Sequence, residues 1–204
     1  MVRSSKLEAR RLKNKKILIT AGPTWVPIDN VRVISNIASG QTGILLAKEA
    51  KRQGAKVTLL LGPVSACCPD KDIRIINFKF FDELRKKIIK ELVLRRYDII
   101  VHNAAVSDFR PLGSKGKITS GRPVSLELIP LPKITQDIKK LKRKAKTVIF
   151  KLESGVSSKR LISRAVHIKA AAGADLVVAN KLNPYRAFII ADTGIISVSR
   201  NKRT

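Results

Sequence analysis

Lys16-Ile17-Leu18-Ile19-Thr20-Ala21-Gly22-Pro23-Thr24 is the stretch that sets the fold. A continuous apolar run that stops abruptly at Gly and Pro reads as a short parallel strand buried on both faces. Downstream, from Gly40 to Gln53, Ile44, Leu45, Leu46, Ala47 and Ala50 give one apolar helical face. Gly54 ends that helix and Lys56–Leu61 restores a strand, which completes a βαβ unit. The alternation continues with a strand over Ile73–Asn77, a helix from about Phe81 to Arg96 and a strand over Asp98–His102. Further on come a strand over Thr147–Phe150, a helix over Ser157–Ala172 capped by Ser157 or Ser158, and a strand over Asp175–Ala179. Such an order predicts an α/β fold with a doubly wound, mostly parallel, Rossmann-like sheet. Two segments break the rhythm. Val124–Ile129 is strand-like, and Ala187–Ala191 with Ile195–Val198 around Asp192-Thr193-Gly194 predicts a C-terminal β-hairpin.

With 204 residues and 44% hydrophobic content, the chain suits one domain over 15–204, preceded by a basic leader over 1–14. No apolar run reaches the roughly 18 to 20 residues of a membrane span, and the leader lacks the apolar core of a secretion signal. A cytoplasmic location is therefore expected. Cys67 and Cys68 are adjacent, poorly placed for a mutual disulfide, and complete no zinc pattern, so they read as bystanders.

Lys and Arg number 42 against 15 Asp and Glu, a net charge of +27 that attracts polyanions. The excess is spread along the chain, with local runs at Lys13, Lys15 and Lys16 and from Lys139 to Lys146, and such runs usually form solvated faces. A basic nucleic-acid-binding protein on a nucleotide-binding fold is the alternative reading. It has the charge, but aromatic residues make up only 4% of the chain, too few for interleaved base stacking. A nicotinamide-dependent oxidoreductase fits less well. There is no GxGxxG, and Leu61-Gly62-Pro63 offers no acidic residue for a ribose.

In open parallel sheets ligands bind beyond the carboxyl ends of strands, so the loops after each strand hold the chemistry. The first loop closes with Ser39 and Gly40 at the start of a helix, where small residues and free N–H groups suit a phosphate or a plain helix cap equally. It is not a Walker A loop. The second, Asn103-Ala104-Ala105-Val106-Ser107-Asp108-Phe109-Arg110, offers an Asp that suits a metal, a ribose hydroxyl or an ordinary turn. Gly113-Ser114-Lys115-Gly116-Lys117-Ile118 then places two lysines in a Gly-punctuated loop.

Taken together these residues carry a resemblance. TAGPTWVPIDNVRVISNIASGQTG from Thr20 to Gly43, NAAVSDFRP from Asn103 to Pro111 and LVVANKL from Leu176 to Leu182 resemble the phosphopantothenate-cysteine ligase family. The likeness covers residues 16 to 198, densest in the first third and weakest between Thr119 and Thr147. It implies a ligase that activates the carboxylate of 4'-phosphopantothenate on the α-phosphate of CTP, the favoured nucleotide, or ATP. The amine of L-cysteine then displaces the monophosphate, giving 4'-phosphopantothenoylcysteine for coenzyme A biosynthesis. It also implies Mg2+, a homodimer with shared active sites and a separate flavin decarboxylase as pathway partner.

Residue by residue, the resemblance gives Asn36 and Lys117 catalytic roles, and makes Arg32, Asn36 and Ala105 contacts of phosphopantothenate. For the nucleotide it implies Gly22, Ser39, Gly40, Asn103, Ala104, Asp108 and Phe109, together with Lys117. Pro132, Lys133, Ile134, Phe150 and Lys169 complete that set, with Asp108 also a metal ligand. Among these site residues the sequence departs from the family in three places. The mobile KxKK loop reads KITS from Lys117, Lys133 stands where the family has Asp, and the helix after Ser157 offers the triphosphate Lys169 alone.

Overall fold

The computed structural model describes residues 11–65, 71–112 and 116–199. Cys67, Cys68, Lys115 and most of the expected basic leader lie outside the described residues. In chain order the elements are β1 (Lys16–Ala21), β2 (Trp25–Pro27), β3 (Val33–Ser35), α1 (Gln41–Arg52), β4 (Lys56–Leu61) and β5 (Arg74–Asn77). Then follow α2 (Phe81–Leu94), β6 (Ile99–His102), β7 (Phe109–Pro111), β8 (Leu128–Pro130) and α3 (Ile134–Leu141). The chain continues with β9 (Lys146–Glu153), α4 (Ser158–Ala172), β10 (Leu176–Lys181), β11 (Arg186–Ala191) and β12 (Gly194–Ser199).

Eight strands form one sheet in the order β12-β11-β10-β9-β6-β1-β4-β5. Those from β5 to β10 are parallel, and β11 and β12 add the expected antiparallel hairpin. From β1 the chain winds first towards β4 and β5 and then, after α2, towards β6, β9 and β10. The strand order reverses between β1 and β6, and a parallel sheet opens a crevice at that point.

Strand alternation divides the core. Ile17, Ile19 and Ala21 of β1 pack with Ile44, Ala47 and Ala50 of α1 on one face. Leu18, Leu60 and Ile100 meet Phe81, Leu84 and Ile88 of α2 and Ile134 and Ile138 of α3 on the other. Each of these large side chains stabilises the fold by roughly 1.5–3 kcal/mol through burial. On the latter side α4 closes β9, β10 and β11 through Leu161, Ala165, Val177 and Phe188. No helix among the described residues is long and apolar enough to cross a membrane.

Four elements differ from the sequence expectation. The long loop after β1 contains the small antiparallel pair β2 and β3. Val124–Ile129 contributes only its end, since β8 begins at Leu128 and pairs with β7. The basic run after Lys139 belongs in part to a helix, α3, whose Ile134 and Ile138 are buried. Finally, β9 does not stop at Phe150, because Lys151, Leu152 and Glu153 continue to pair with Ala179, Asn180 and Lys181 of β10. The folded part also begins before the expected boundary at residue 15. The amides of Leu12 and Asn14 donate to the carbonyls of Gln53 and Gly54, and Leu12 packs on the α1 cluster.

Candidate active site

The reversal point is built mostly from backbone. After β1, Gly22 takes a φ of 83°, in the left-handed region, and its carbonyl accepts from the Ala105 amide at 2.9 Å. Ala105 returns the contact by accepting from the Thr24 amide at 3.2 Å, so Pro23 and Ala105 extend the parallel pairing of β1 and β6 beyond both strands. Thr24 Oγ1 accepts from the Ser107 amide at 2.9 Å, which fixes the next turn of the same loop. Beneath them Thr20 Oγ1 accepts from the Ala104 amide at 3.1 Å and shares a 2.9 Å hydrogen bond with His102 Nδ1. Burial pushes His102 down to about 4, so the imidazole is neutral at neutral pH and adds no charge under the loops.

The approach of α1 explains the small residues. A Cβ on Gly43 would stand 2.4 Å from Ala21 Cβ and 3.0 Å from Asn103 Oδ1, so only glycine lets the first turn of α1 lie against both loops. Gly40, with a φ of 71°, is the N-cap and makes no side-chain cap. Ser39 Oγ receives the Gln41 amide at a long 3.4 Å. Amide N–H groups of that turn are thus left for a ligand, as suits an anion. Asn36 crosses the crevice, and its Nδ2 donates to the Ala105 carbonyl at 3.0 Å while the residue stays exposed. Gly22, Ser39, Gly40, Asn36, Asn103, Ala104 and Ala105 are therefore gathered at one place.

A sequence profile described as DNA/pantothenate metabolism flavoprotein C-terminal domain matches residues 12–204. The chain belongs to that family. Coenzyme A biosynthesis bifunctional protein CoaBC of Thermococcus kodakarensis is 40% identical over 197 residues, 96% of this chain and 48% of that protein. A protein named Cysteine/Cysteine sulfinic acid decarboxylase, from an unidentified prokaryote, is 39% identical over 153 residues, 73% of this chain and 42% of its own length. The solved C-terminal domain of Coenzyme A biosynthesis bifunctional protein CoaBC is 26% identical with a TM-score of 0.76, over 94% of this chain and 87% of that one. The chain spans about half the length of the curated relatives it matches. Their names denote different activities, so the family fixes the fold and the site has to decide the chemistry.

Within this family frame the structure adds a residue that sequence reading passed over. Asp29, whose carboxylate is fully buried, accepts from the amides of Val31 and Arg32, from Arg32 Nη1 at 2.8 Å and from the amide of Ile118 at 3.1 Å. The Val31 amide first, then those of Arg32 and Ile118 with the Arg32 charge, hold the Asp29 carboxyl at about 2 against the opposition of burial. Arg32 Nη1 also donates to the Ile118 carbonyl at 3.1 Å. Arg32 is thus partly committed to a clamp on the loop that carries Lys117, and only the rest of its half-exposed guanidinium faces outward. Lys117 itself is exposed, one residue from the clamped position. A groove of about 280 Å³ opens beside the clamp, with Ile28, Ile118, Val124 and Leu126 as apolar walls and Arg32 and Arg122 as its cations.

The remaining expected residues separate into three groups. His102 pairs in register with Ile149, so Phe150 is level with Asn103 and half-buried on the face that α1 covers further along. Asp108 and Lys133 form an ion pair with each other, both well exposed, beside the half-exposed Phe109. Pro132 is exposed on the same loop, whereas the Ile134 side chain is buried under the sheet and offers a ligand only backbone. Lys169 is the correction. A helix after a parallel strand runs back along the sheet, so the last turn of α4 lies at the amino edge, away from the crevice. There Lys169 is buried and its ammonium pairs with Asp192 of the β11–β12 turn. At the carboxyl edge Asn180 Oδ1 is buried with no hydrogen-bond partner among the described residues, an orphan acceptor of the sort found at functional sites.

Proposed function

We propose that this chain is a phosphopantothenate-cysteine ligase acting in the cytoplasm, and that the Asn36–Ala105 contact across the reversal point marks its reaction centre. The substrates are 4'-phosphopantothenate, L-cysteine and CTP, with ATP as the less favoured nucleotide. The free amides at Gly40 and the start of α1 receive phosphate, while Asn103 and Phe150 flank the space beside them. A carboxylate oxygen of phosphopantothenate attacks the α-phosphorus and pyrophosphate departs. Lys117, exposed next to the Asp29 clamp, supplies positive charge as negative charge grows on the α-phosphate. The cysteine amine then attacks the acyl carbon, the monophosphate leaves, and an amide bond results. Asn36 suits that second step because a neutral amide donates to an oxyanion without titrating. The apolar groove with Arg32 and Arg122 fits the pantothenate arm and its phosphate.

Asp108 is engaged by Lys133, and no group of three His, Cys, Asp or Glu side chains among the described residues could hold a metal. These residues do not fit a resident Mg2+, so the ion in this proposal is one that accompanies the nucleotide phosphates. A homodimer is supported by an uncovered face. Phe150, Val178 and Ile189 lie in register, with Val148 two residues along β9, on the side where α1 covers only β1 and β4, and Leu152 there is 57% exposed. A flavin decarboxylase would consume the product. The reading is tested by incubating the protein with phosphopantothenate, cysteine and either nucleotide. One pyrophosphate and one matching monophosphate should appear per amide formed, faster with CTP, and no monophosphate from either nucleotide would overturn it.

A further inference from the structure

A cavity of about 470 Å³ lies at the amino edge of the sheet, the opposite side from the proposed reaction centre. It is framed by the ends of α2 and α3 and the start of β1, and its size is that of a small-molecule site. Leu92, Tyr97 and Leu141 line it alongside a ring of cations. Two of those cations have other work. Arg95 pairs with the Glu91 carboxylate at 3.4 Å, and Lys142 donates to the Gly173 carbonyl at the end of α4, near Asp175. Lys16, Arg96, Arg143 and Lys144 have no ion-pair partner among the described residues. The one carboxylate in the lining, Asp98, already accepts from the Lys16 amide at 2.8 Å and faces Lys15 at 3.7 Å.

Arg143 makes the arrangement more than a solvated charge run. Its φ of 53° puts it in the left-handed region just after α3, where glycine is the usual residue and a side chain costs stability. A cation kept at that cost on the rim of a cavity, among like charges that repel one another, is explained by an anion that joins them.

We propose that this cleft binds a compact oligophosphate, a ligand with two or more linked phosphate groups. The phosphates would be held by Arg96, Arg143 and Lys144, and any flat or apolar portion would rest on Tyr97 and Leu141. The site stands independently of the ligase reading, since it shares no residue with the crevice at Asn36. Calorimetric titration of the full chain with tripolyphosphate tests it, using wild type, Arg96→Ala/Arg143→Gly and Arg32→Ala. The double variant should bind about tenfold more weakly or worse. Arg143→Gly alone should fold with an unchanged or higher Tm, because glycine suits the backbone there. Arg32→Ala should retain this binding event. Unchanged affinity in the double variant, or loss of all binding in Arg32→Ala, would overturn the proposal. Titration with ATP separates the sources: tighter binding than tripolyphosphate identifies a nucleotide, equal binding a bare phosphate chain. A single-stranded oligonucleotide that displaces tripolyphosphate from the cleft with higher affinity would also overturn it, by showing a nucleic-acid surface instead.

Discussion

The two edges of the sheet handle charge in opposite ways. At the carboxyl edge the crevice is lined by backbone amides, small residues and neutral amide side chains; Arg32 is paired with Asp29 and Lys133 with Asp108, while Lys117 and Arg122 are exposed beside it. At the amino edge, cations gather at helix ends and several lack any acidic partner among the described residues. A net charge of +27 therefore says little about where chemistry happens. The proposed reaction centre lies where glycine and asparagine let two loops and a helix end approach one another, and a cluster of cations without acidic partners among the described residues lies across the sheet from it.

The largest effect that would sharpen this contrast is at Lys117. Lys117→Ala should lower kcat by on the order of 10²-fold, the usual cost of losing a preorganised charge donor, with Tm unchanged because the residue is exposed. Pyrophosphate release without cysteine reports the step directly, and a wild-type rate would make the loop a simple connector. Gly43→Ala comes next. A methyl there must displace Ala21 or move α1, at a cost of roughly 1–3 kcal/mol, so thermal unfolding should show a Tm several degrees lower, together with weaker nucleotide binding. If both are unchanged, the close approach of α1 is not what shapes the crevice.

Asp29→Asn gives a smaller effect with a pH signature. The folded-state pKa of Asp29 is depressed from 3.8 to about 2, so its contribution to stability is fully present above 3.8 and is lost as pH falls through about 2. The Tm gap between wild type and variant should be open at neutral pH and close across that acid window. A gap that stays constant would show that the clamp on Ile118 does not depend on the carboxylate charge. The smallest effect belongs to the far edge. Lys169→Met should leave turnover unchanged and shift stability by no more than about 1 kcal/mol, since the carboxylate left behind, Asp192, stays in water. A large fall in turnover would break the division between the edges.

Sequence resolves the parts of this molecule that are written locally. Apolar runs bounded by Gly22 and Gly54 reveal the βαβ unit, and the small residues from Gly22 to Gly43 mark the crevice because each is needed by a nearby turn. The short helix α3 is harder to see, since Ile134 and Ile138 are its only buried positions and lysines dominate the segment. Asp29 is invisible for another reason: its partner Ile118 lies 89 residues away, and only folding brings that amide to the carboxylate. For Lys169 the helix is legible but its bearing is not read correctly. The crossover between two parallel strands places the last turn of α4 at the amino edge, so topology corrects what spacing along the helix suggests.

In the proposed ligase Asn36, held on the Ala105 carbonyl, would serve the step in which cysteine replaces the nucleotide. Asn36→Asp swaps a donor for a negative charge beside that carbonyl and beside the acyl phosphate. The direct measurement compares, in one variant, pyrophosphate release with phosphopantothenate and CTP alone against amide formation once cysteine is added. Activation should persist within a few-fold while amide formation falls by about 10²-fold or more. Amide formation at the wild-type rate would contradict the assignment of the reaction centre.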